Sequence, residues 1–206
     1  MSTKKKSSIS KTKPVKKKPS KRVKKEYLEK DDLIIFTDGA CSGNGKAYAK
    51  GGYGVYFPYN EYPDVSEPFL IKPITNQRAE LYAILTALKM IEHDTDKYEN
   101  IKIYSDSQYS INCLTNWINN WKKNNWMTSN GKPVMNREFI IPASEIIDKS
   151  GNIIFEHIRS HTKKDDFFSI GNAMVDQLAT AGVLKTADAK KQIIIEVDKK
   201  LKKKKT

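Results

Sequence analysis

The hydrophobic pattern along this chain changes period several times, and each change marks an element. Residues 1–28 are Lys, Ser, Thr and Pro with almost no hydrophobic content, and such a segment is expected to be disordered alone. Leu33-Ile34-Ile35-Phe36 is a short unbroken apolar run ending at Asp38-Gly39, the pattern of a buried strand and turn. Ser42-Gly43-Asn44-Gly45 to Gly51-Gly52 reads as a Gly-rich loop. Tyr53–Phe57 alternates bulky residues and predicts a second strand, and Glu67–Lys72, bounded by Pro68 and Pro73, a third. From Thr75 to Glu92 the period becomes helical, with Leu81, Ile84, Leu85, Leu88 and Ile91 on one face. Thr75 or Asn76 caps that helix, and Glu80 lies at the edge of its apolar face. Ile101–Ser105 predicts a fourth strand with Asp106 at its C-terminal end. A helix over Ser107–Asn119, a polar stretch over Asn120–Lys132, a helix over Arg137–Lys149, a strand over Ile153–Ile158 and a last helix over Asn172–Val183 complete the chain.

The resulting order, β-β-β-α-β-α-α-β-α, is that of a single α/β domain. Strands 1 and 4 are joined by a long crossover, so part of the five-stranded sheet is expected to be parallel and the sheet as a whole mixed. In open sheets of this type sites gather at the carboxyl ends of strands, where Asp38 and Asp106 are expected. The organisation is a Lys-rich tail over 1–28, one folded domain over 29–185 and a basic C-terminal tail over 186–206, with both tails expected to be disordered.

Charge sharpens this division. The 206 residues carry a formal net charge of +13, yet residues 1–25 hold twelve Lys/Arg and no acid, and residues 199–205 hold six Lys. The chain between the two basic ends is mildly acidic. Such cationic arms attract a polyanion, or they simply solubilise the chain. Cys41 and Cys113 are too few for a disulfide framework or a zinc site, which points to reduced, intracellular life. No apolar run approaches the roughly 20 residues of a membrane span. The run Lys16–Lys25 reads as a nuclear address or as any basic tail. No oligomerisation face is legible, so a monomer is the default.

The chemistry is carried by four carboxylates in four contexts: Asp38 in F-T-D-G, Glu80 in T-N-Q-R-A-E-L, Asp106 in Y-S-D-S-Q-Y and Asp176 in G-N-A-M-V-D-Q-L-A. Taken singly, each is an ordinary turn, cap or helix-surface acid. Brought together they would repel unless a cation held them, and such a cluster suits a divalent-metal site for phosphodiester hydrolysis.

In these contexts the chain resembles a type 1 ribonuclease H, closer to the eukaryotic than to the bacterial branch. The resemblance covers roughly residues 32–185. It rests on F-T-D-G-A-C-S-G-N-G (36–45), G-G-Y-G-V-Y (51–56), T-N-Q-R-A-E-L (75–81), Y-S-D-S-Q-Y (104–109), T-N-W-I-N-N-W-K-K-N-N-W (115–126), I-R-S-H (158–161) and G-N-A-M-V-D-Q-L-A (171–179), in that order. It implies a ribonuclease H-like fold and an endonuclease that cuts the RNA strand of an RNA–DNA hybrid, leaving 5′-phosphate and 3′-hydroxyl ends. By the same resemblance Asp38, Glu80, Asp106 and Asp176 are the ligands of two Mg²⁺ ions, with Mn²⁺ as a substitute, and His161 is a mobile-loop histidine that assists proton movement or product release. Asn44, Asn76, Gln77 and Gln108 match positions on the RNA strand. Thr75 and Asn136 match a phosphate pocket, and Trp117 a DNA-side aromatic. Trp121, Lys122, Lys123 and Trp126 match a basic protrusion, where the lysines meet phosphates and the aromatics pack. Departures from the family pattern are Pro73 in place of an arginine two residues before Thr75, Ser160 before His161, and a longer T-K-K-D-D-F-F-S-I loop after it. A hybrid-coating protein that does not cut, and a related sheet-and-carboxylate enzyme such as a reverse-transcriptase nuclease domain or a resolvase, are the competing readings.

Overall fold

The computed structural model describes residues 31–159 and 165–203, with side chains to Thr186. Five strands form one sheet: β1 (Asp32–Ser42), β2 (Lys50–Tyr56), β3 (Val65–Phe69), β4 (Asn100–Ser105) and β5 (Ile153–His157), in spatial order β3-β2-β1-β4-β5. β1 pairs antiparallel with β2 and parallel with β4, β2 pairs antiparallel with β3, and β4 pairs parallel with β5. The mixed sheet expected from the element order is therefore present.

The unbroken apolar run of β1 follows from burial on both faces. Leu33 and Ile35 pack into the larger core with α1 (Asn76–Ile91) and α4 (Arg137–Ser150), whereas Ile34 and Phe36 join Tyr104, Phe167 and Val175 on the opposite face under α5 (Phe167–Lys203). α1 buries Leu81, Ile84, Leu85, Leu88 and Ile91, the residues that its helical spacing predicted. Its cap is Thr75, whose side chain accepts from the Arg78 N–H.

Several boundaries differ from the sequence pattern. β2 spans Lys50–Tyr56 rather than Tyr53–Phe57, so Gly51 and Gly52 belong to a strand and not to the Gly-rich loop. β1 does not turn at Asp38-Gly39; it continues to Ser42, its small residues paired through the backbone with β2. Asp38 instead lies just beyond the parallel ladder, which ends at Phe36↔Tyr104. β3 is Val65–Phe69 rather than Glu67–Lys72. The helix expected over 107–119 is two short ones, α2 (Gln108–Leu114) and α3 (Ile118–Lys123), and α3 extends into the stretch expected to be merely polar. α5 starts at Phe167 and its backbone stays helical to Lys203, so the segment after 185 has regular structure as far as that residue. The Lys- and Ala-rich sequence there contains no Pro and no Gly after Gly182, and nothing in it breaks a helix.

Candidate active site

Asp38 is opposite Gly54 in the β1–β2 ladder and is buried. Its Oδ1 accepts the Gly39 N–H at 2.8 Å. The next residue explains how a second acid arrives. A Cβ on Gly39 would lie 2.1 Å from Glu80 N and 2.4 Å from Ala79 C, so α1 rests directly on the β1 backbone. Gly54 has the same use on the other side: a Cβ there would meet Val175 O at 2.8 Å and Ala179 N at 2.9 Å. α5 thus approaches the strand opposite Asp38 at the turn that carries Asp176.

Glu80 is held by two donors. Asn76 Nδ2 gives a hydrogen bond to its Oε1 at 2.6 Å, and the Ser107 hydroxyl donates to its Oε2. Asp106 follows β4, and its backbone carbonyl lies 3.2 Å from His157 Nε2.

Electrostatics couples these acids. Asp38 is pushed up to about 8 by burial first and by the Asp106 charge next, with smaller contributions from Asp176 and Glu80, against the stabilising Gly39 N–H. Burial also raises Glu80, partly opposed by Ser107, and it raises Asp106, partly opposed by its own backbone N–H and by Asn172. Mutual destabilisation of ionised carboxylates is what a divalent cation relieves. The donor set is all oxygen and suits a hard cation such as Mg²⁺. Among the described residues no three His, Cys, Asp or Glu side chains converge into a preformed metal cage. The acids form a looser cluster, with Glu80 drawn towards Asn76 and Ser107.

Beside the acids, Asn44, Thr75, Gln77, Arg78 and Asn136 line a cleft of about 450 Å³ together with Pro73 and Met135. Asn44 Oδ1 accepts the Asn76 N–H at 3.0 Å and so fastens the Gly-rich loop to the start of α1. Asn136 is buried at a positive φ of 60°; its Oδ1 accepts from Arg78 Nη1 at 3.1 Å and its Nδ2 donates to Tyr109 Oη at 2.9 Å. Gln77 and Gln108 are exposed, the latter bonded to Asn112 Oδ1 at 3.2 Å. Trp117 is part-exposed at the end of a Tyr109–Trp117–Trp121 ring series, while Trp121 and Trp126 pack against the main core. Lys123 is exposed, and Lys122 is paired with Asp148 at 2.5 Å. His161 lies outside the described residues.

Sequence reasoning assigned no role to Arg78, His157 or Asn172. Arg78 is buried, bonded to Asn136 and Glu138, with its guanidinium over the Phe139 ring at 4.8 Å. The signal that would have found it is a cationic residue on the apolar side of an otherwise amphipathic helix, which requires partners.

The RNase H family model matches residues 30–184. A "Probable ribonuclease H" of Acanthamoeba polyphaga mimivirus is 39% identical over 165 residues, covering 80% of this chain and 72% of that protein. The human "Ribonuclease H1" is 35% identical over 158 residues, covering 77% of this chain and 52% of the human protein, so the chain spans about half the length of that relative. The solution structure of the PFV RNase H domain superposes with a TM-score of 0.62 at 22% identity, covering 74% of this chain and 94% of the domain, a likeness of fold.

Proposed function

This chain belongs to the RNase H family, and from that premise we propose that it is an endonuclease hydrolysing the RNA strand of RNA–DNA hybrids, with 5′-phosphate and 3′-hydroxyl products. The observation that carries the reading is the coupling of four acids from four separate segments at Asp38. Asp38, Glu80, Asp106 and Asp176 would hold two Mg²⁺ ions, with Mn²⁺ as a substitute. Bound there, the ions supply charge neutralisation and water activation for an in-line phosphodiester hydrolysis.

The rest is the work of the chain. Gly39 lets α1 close on β1 and Gly54 lets α5 close on β2, which brings Glu80 and Asp176 toward Asp38 from the two faces of the sheet. Asn76 and Ser107 orient Glu80, and Asn172 favours the charged form of Asp106. In the cleft, Asn44 and Gln77 offer amide groups for contact with a 2′-hydroxyl, which distinguishes RNA from DNA, while Thr75 and Asn136 line the pocket for a phosphate of the DNA strand. Part-exposed Trp117, in ring contact with the Tyr109 that bonds Asn136, and exposed Lys123 suit the DNA strand and its phosphates. The basic arms add salt-dependent affinity.

The test is cleavage of an end-labelled RNA–DNA hybrid with and without Mg²⁺, beside single-stranded RNA, duplex RNA and duplex DNA. Mg²⁺-dependent cutting confined to the RNA strand of the hybrid is expected. Tight hybrid binding without cutting under Mg²⁺ or Mn²⁺ would favour the non-cutting binding protein instead.

A further inference from the structure

We propose that Lys46 of the Gly-rich loop and Lys72 before α1 form the cationic wall of a groove that holds backbone phosphate of the DNA strand. This role rests on the hybrid-binding function proposed above and supplies the charge that the cleft beside the acids lacks.

That cleft is neutral where it is open. Asn44, Thr75, Gln77 and Asn136 offer amide and hydroxyl groups, while Pro73 and Met135 offer no donor. Arg78 lines it too, but its guanidinium is buried and committed. Nη1 donates to Asn136 and Glu138, Nη2 reaches the Lys72 carbonyl at 3.4 Å, and the Glu138 carboxylate offsets the charge. A phosphate seated in the cleft therefore needs a cation from elsewhere.

A second cavity, of about 370 Å³, adjoins the first and is lined by Gly45, Lys46, Lys72, Pro73 and Ile74 among others. Pro73 belongs to both cavities, and the chain passes from one to the other at Asn44–Gly45 and at Ile74–Thr75. The two make one groove with no Asp or Glu in its lining. Lys46 and Lys72 are exposed, and neither has an acidic partner among the described residues. A strand whose phosphate occupies the cleft at Thr75 and Asn136 thus brings a neighbouring phosphate to the two lysines.

The wall is built before any ligand arrives. Gly45 N–H donates to the Ile74 carbonyl at 3.3 Å, and Asn44 Oδ1 accepts the Asn76 N–H at 3.0 Å, so the loop is tied to the segment that carries Lys72. Lys46 N–H donates to the Gly43 carbonyl at 2.9 Å. The Tyr48 ring lies flush on Gly43, where a Cβ would be 2.7 Å from it, and Lys46 Nζ sits over that ring, 5.5 Å from its centroid. Tyr48 is 68% exposed, so burial does not account for its place; the ring acts as a platform that steadies the ammonium. A lysine already held loses less side-chain freedom on meeting a phosphate.

The test is binding of an RNA–DNA hybrid to the full chain, read by fluorescence anisotropy in EDTA across a range of salt. Lys46→Gln/Lys72→Gln should lower the slope of log affinity against log salt by about 1 or more. Its deficit relative to wild type is then about fourfold larger at 50 mM than at 200 mM salt. Lys46→Arg/Lys72→Arg should keep the wild-type slope. Lys89→Gln/Lys149→Gln is the control, since it removes the same charge from the far ends of α1 and α4, whose N-terminal ends line the cleft. It too should keep the wild-type slope. On a hybrid whose DNA strand carries neutral methylphosphonate linkages, wild type and Lys46→Gln/Lys72→Gln should bind alike. An unchanged slope in Lys46→Gln/Lys72→Gln, or an equal loss in the control, overturns the proposal. A deficit that persists on the methylphosphonate hybrid overturns it as well, because the lysines then meet the RNA strand. All four substituted positions are exposed, and circular-dichroism melting confirms that each variant folds. A wild-type chain that cuts hybrid while the glutamine variant keeps its slope sinks only the lysine wall. A wild-type chain that binds hybrid without cutting, with the slope lowered in the variant, sinks the hydrolytic reading and leaves the wall standing.

Discussion

Gly39→Ala is the substitution that most directly tests how the site is assembled. The added methyl would sit 2.1 Å from Glu80 N, 2.4 Å from Ala79 C and 2.7 Å from Glu80 Cα, all backbone atoms that cannot rotate away. Ordinary van der Waals separation begins at roughly 3.5 Å, so α1 must retreat from β1 by about 1 Å. α1 buries Ala79, Leu81, Ile84, Leu88 and Ile91 almost completely, and a gap of that size forfeits roughly a quarter to a half of the dispersion attraction on the affected side. Overpacking of a core typically costs about 1–3 kcal/mol, and a clash with immovable backbone belongs at the upper end. For a chain of this size about 3 kcal/mol lowers Tm by roughly 6–12 °C. The same retreat moves Glu80 away from Asp38, and a 1 Å misplacement costs about 100-fold in rate. Circular-dichroism melting and single-turnover hybrid cleavage read the two effects. Gly45→Ala is the control: Gly45 has φ +72° but nothing within 4 Å of its added Cβ, so it should cost only the ~1–2 kcal/mol of a left-handed residue and leave the rate near wild type. A Gly39→Ala protein that melts like wild type would refute the close packing. One that melts low yet cuts at full rate would refute the link between that packing and Glu80.

Three further outcomes are expected. With Asp38 raised to about 8 from its ordinary 3.8, the folded state binds that proton more tightly than the unfolded chain. Its contribution to stability is therefore complete below about pH 4 and is lost as pH rises through about 8, at no more than about 1.4 kcal/mol per pH unit; urea unfolding in EDTA should show the decline, and Asp38→Asn or saturating Mg²⁺ should flatten it. Asp106→Asn should fold and bind hybrid but lose more than about 100-fold in kcat, beyond the range for residues that only orient a ligand; wild-type turnover would disprove the metal assignment. Deleting residues 1–27, with their twelve Lys/Arg, should weaken hybrid binding at moderate salt and reduce the slope of log affinity against log salt by about 0.9 for each phosphate the arm had neutralised, with kcat at saturation nearly intact; an unchanged slope would show that the arm does not touch the substrate.

What could be read from the sequence is whatever depends on one segment at a time. The apolar run of β1 and the 3.6-residue spacing of α1 report burial directly, and both appear where the pattern put them. The break between α2 and α3 at Thr115–Trp117 contains neither Gly nor Pro. Ile111 and Leu114 before it and Ile118 after it are all buried, so the apolar pattern runs through the break without marking it. The continuation of β1 through Gly39, Ala40, Cys41 and Ser42 was hidden because small residues carry almost no hydrophobic signal, and it is their pairing with Lys50–Tyr53 that extends the strand. Asp38, Glu80, Asp106 and Asp176 could be named because each sits in a recognisable local motif of its own segment. Arg78, His157 and Asn172 could not, since each has meaning only through a partner: Asn136 and Glu138 for the first, Asp106 for the other two.

The placement of the acids resolves a conflict within the fold. A buried cluster of carboxylates destabilises the domain that holds it, and burial first and the neighbouring acids next push Asp38 up, so the surrounding structure must resist the tendency of the acids to separate. Here the resistance comes from two directions. α1 is fastened to β1 at Gly39 and to the Gly-rich loop through Asn44, and it carries the larger core beneath it. α5 is fastened to β2 at Gly54 and to the smaller core through Phe167 and Val175. Glu80 and Asp176 thus belong to opposite layers, while Asp38 and Asp106 belong to neighbouring strands between them. Relaxing the charge repulsion would require one layer to lift from the sheet, at the expense of apolar burial on that whole face. The repulsion is therefore retained as a standing preference for cations, and it is the packing of both cores, rather than any bond among the acids, that keeps the cluster assembled.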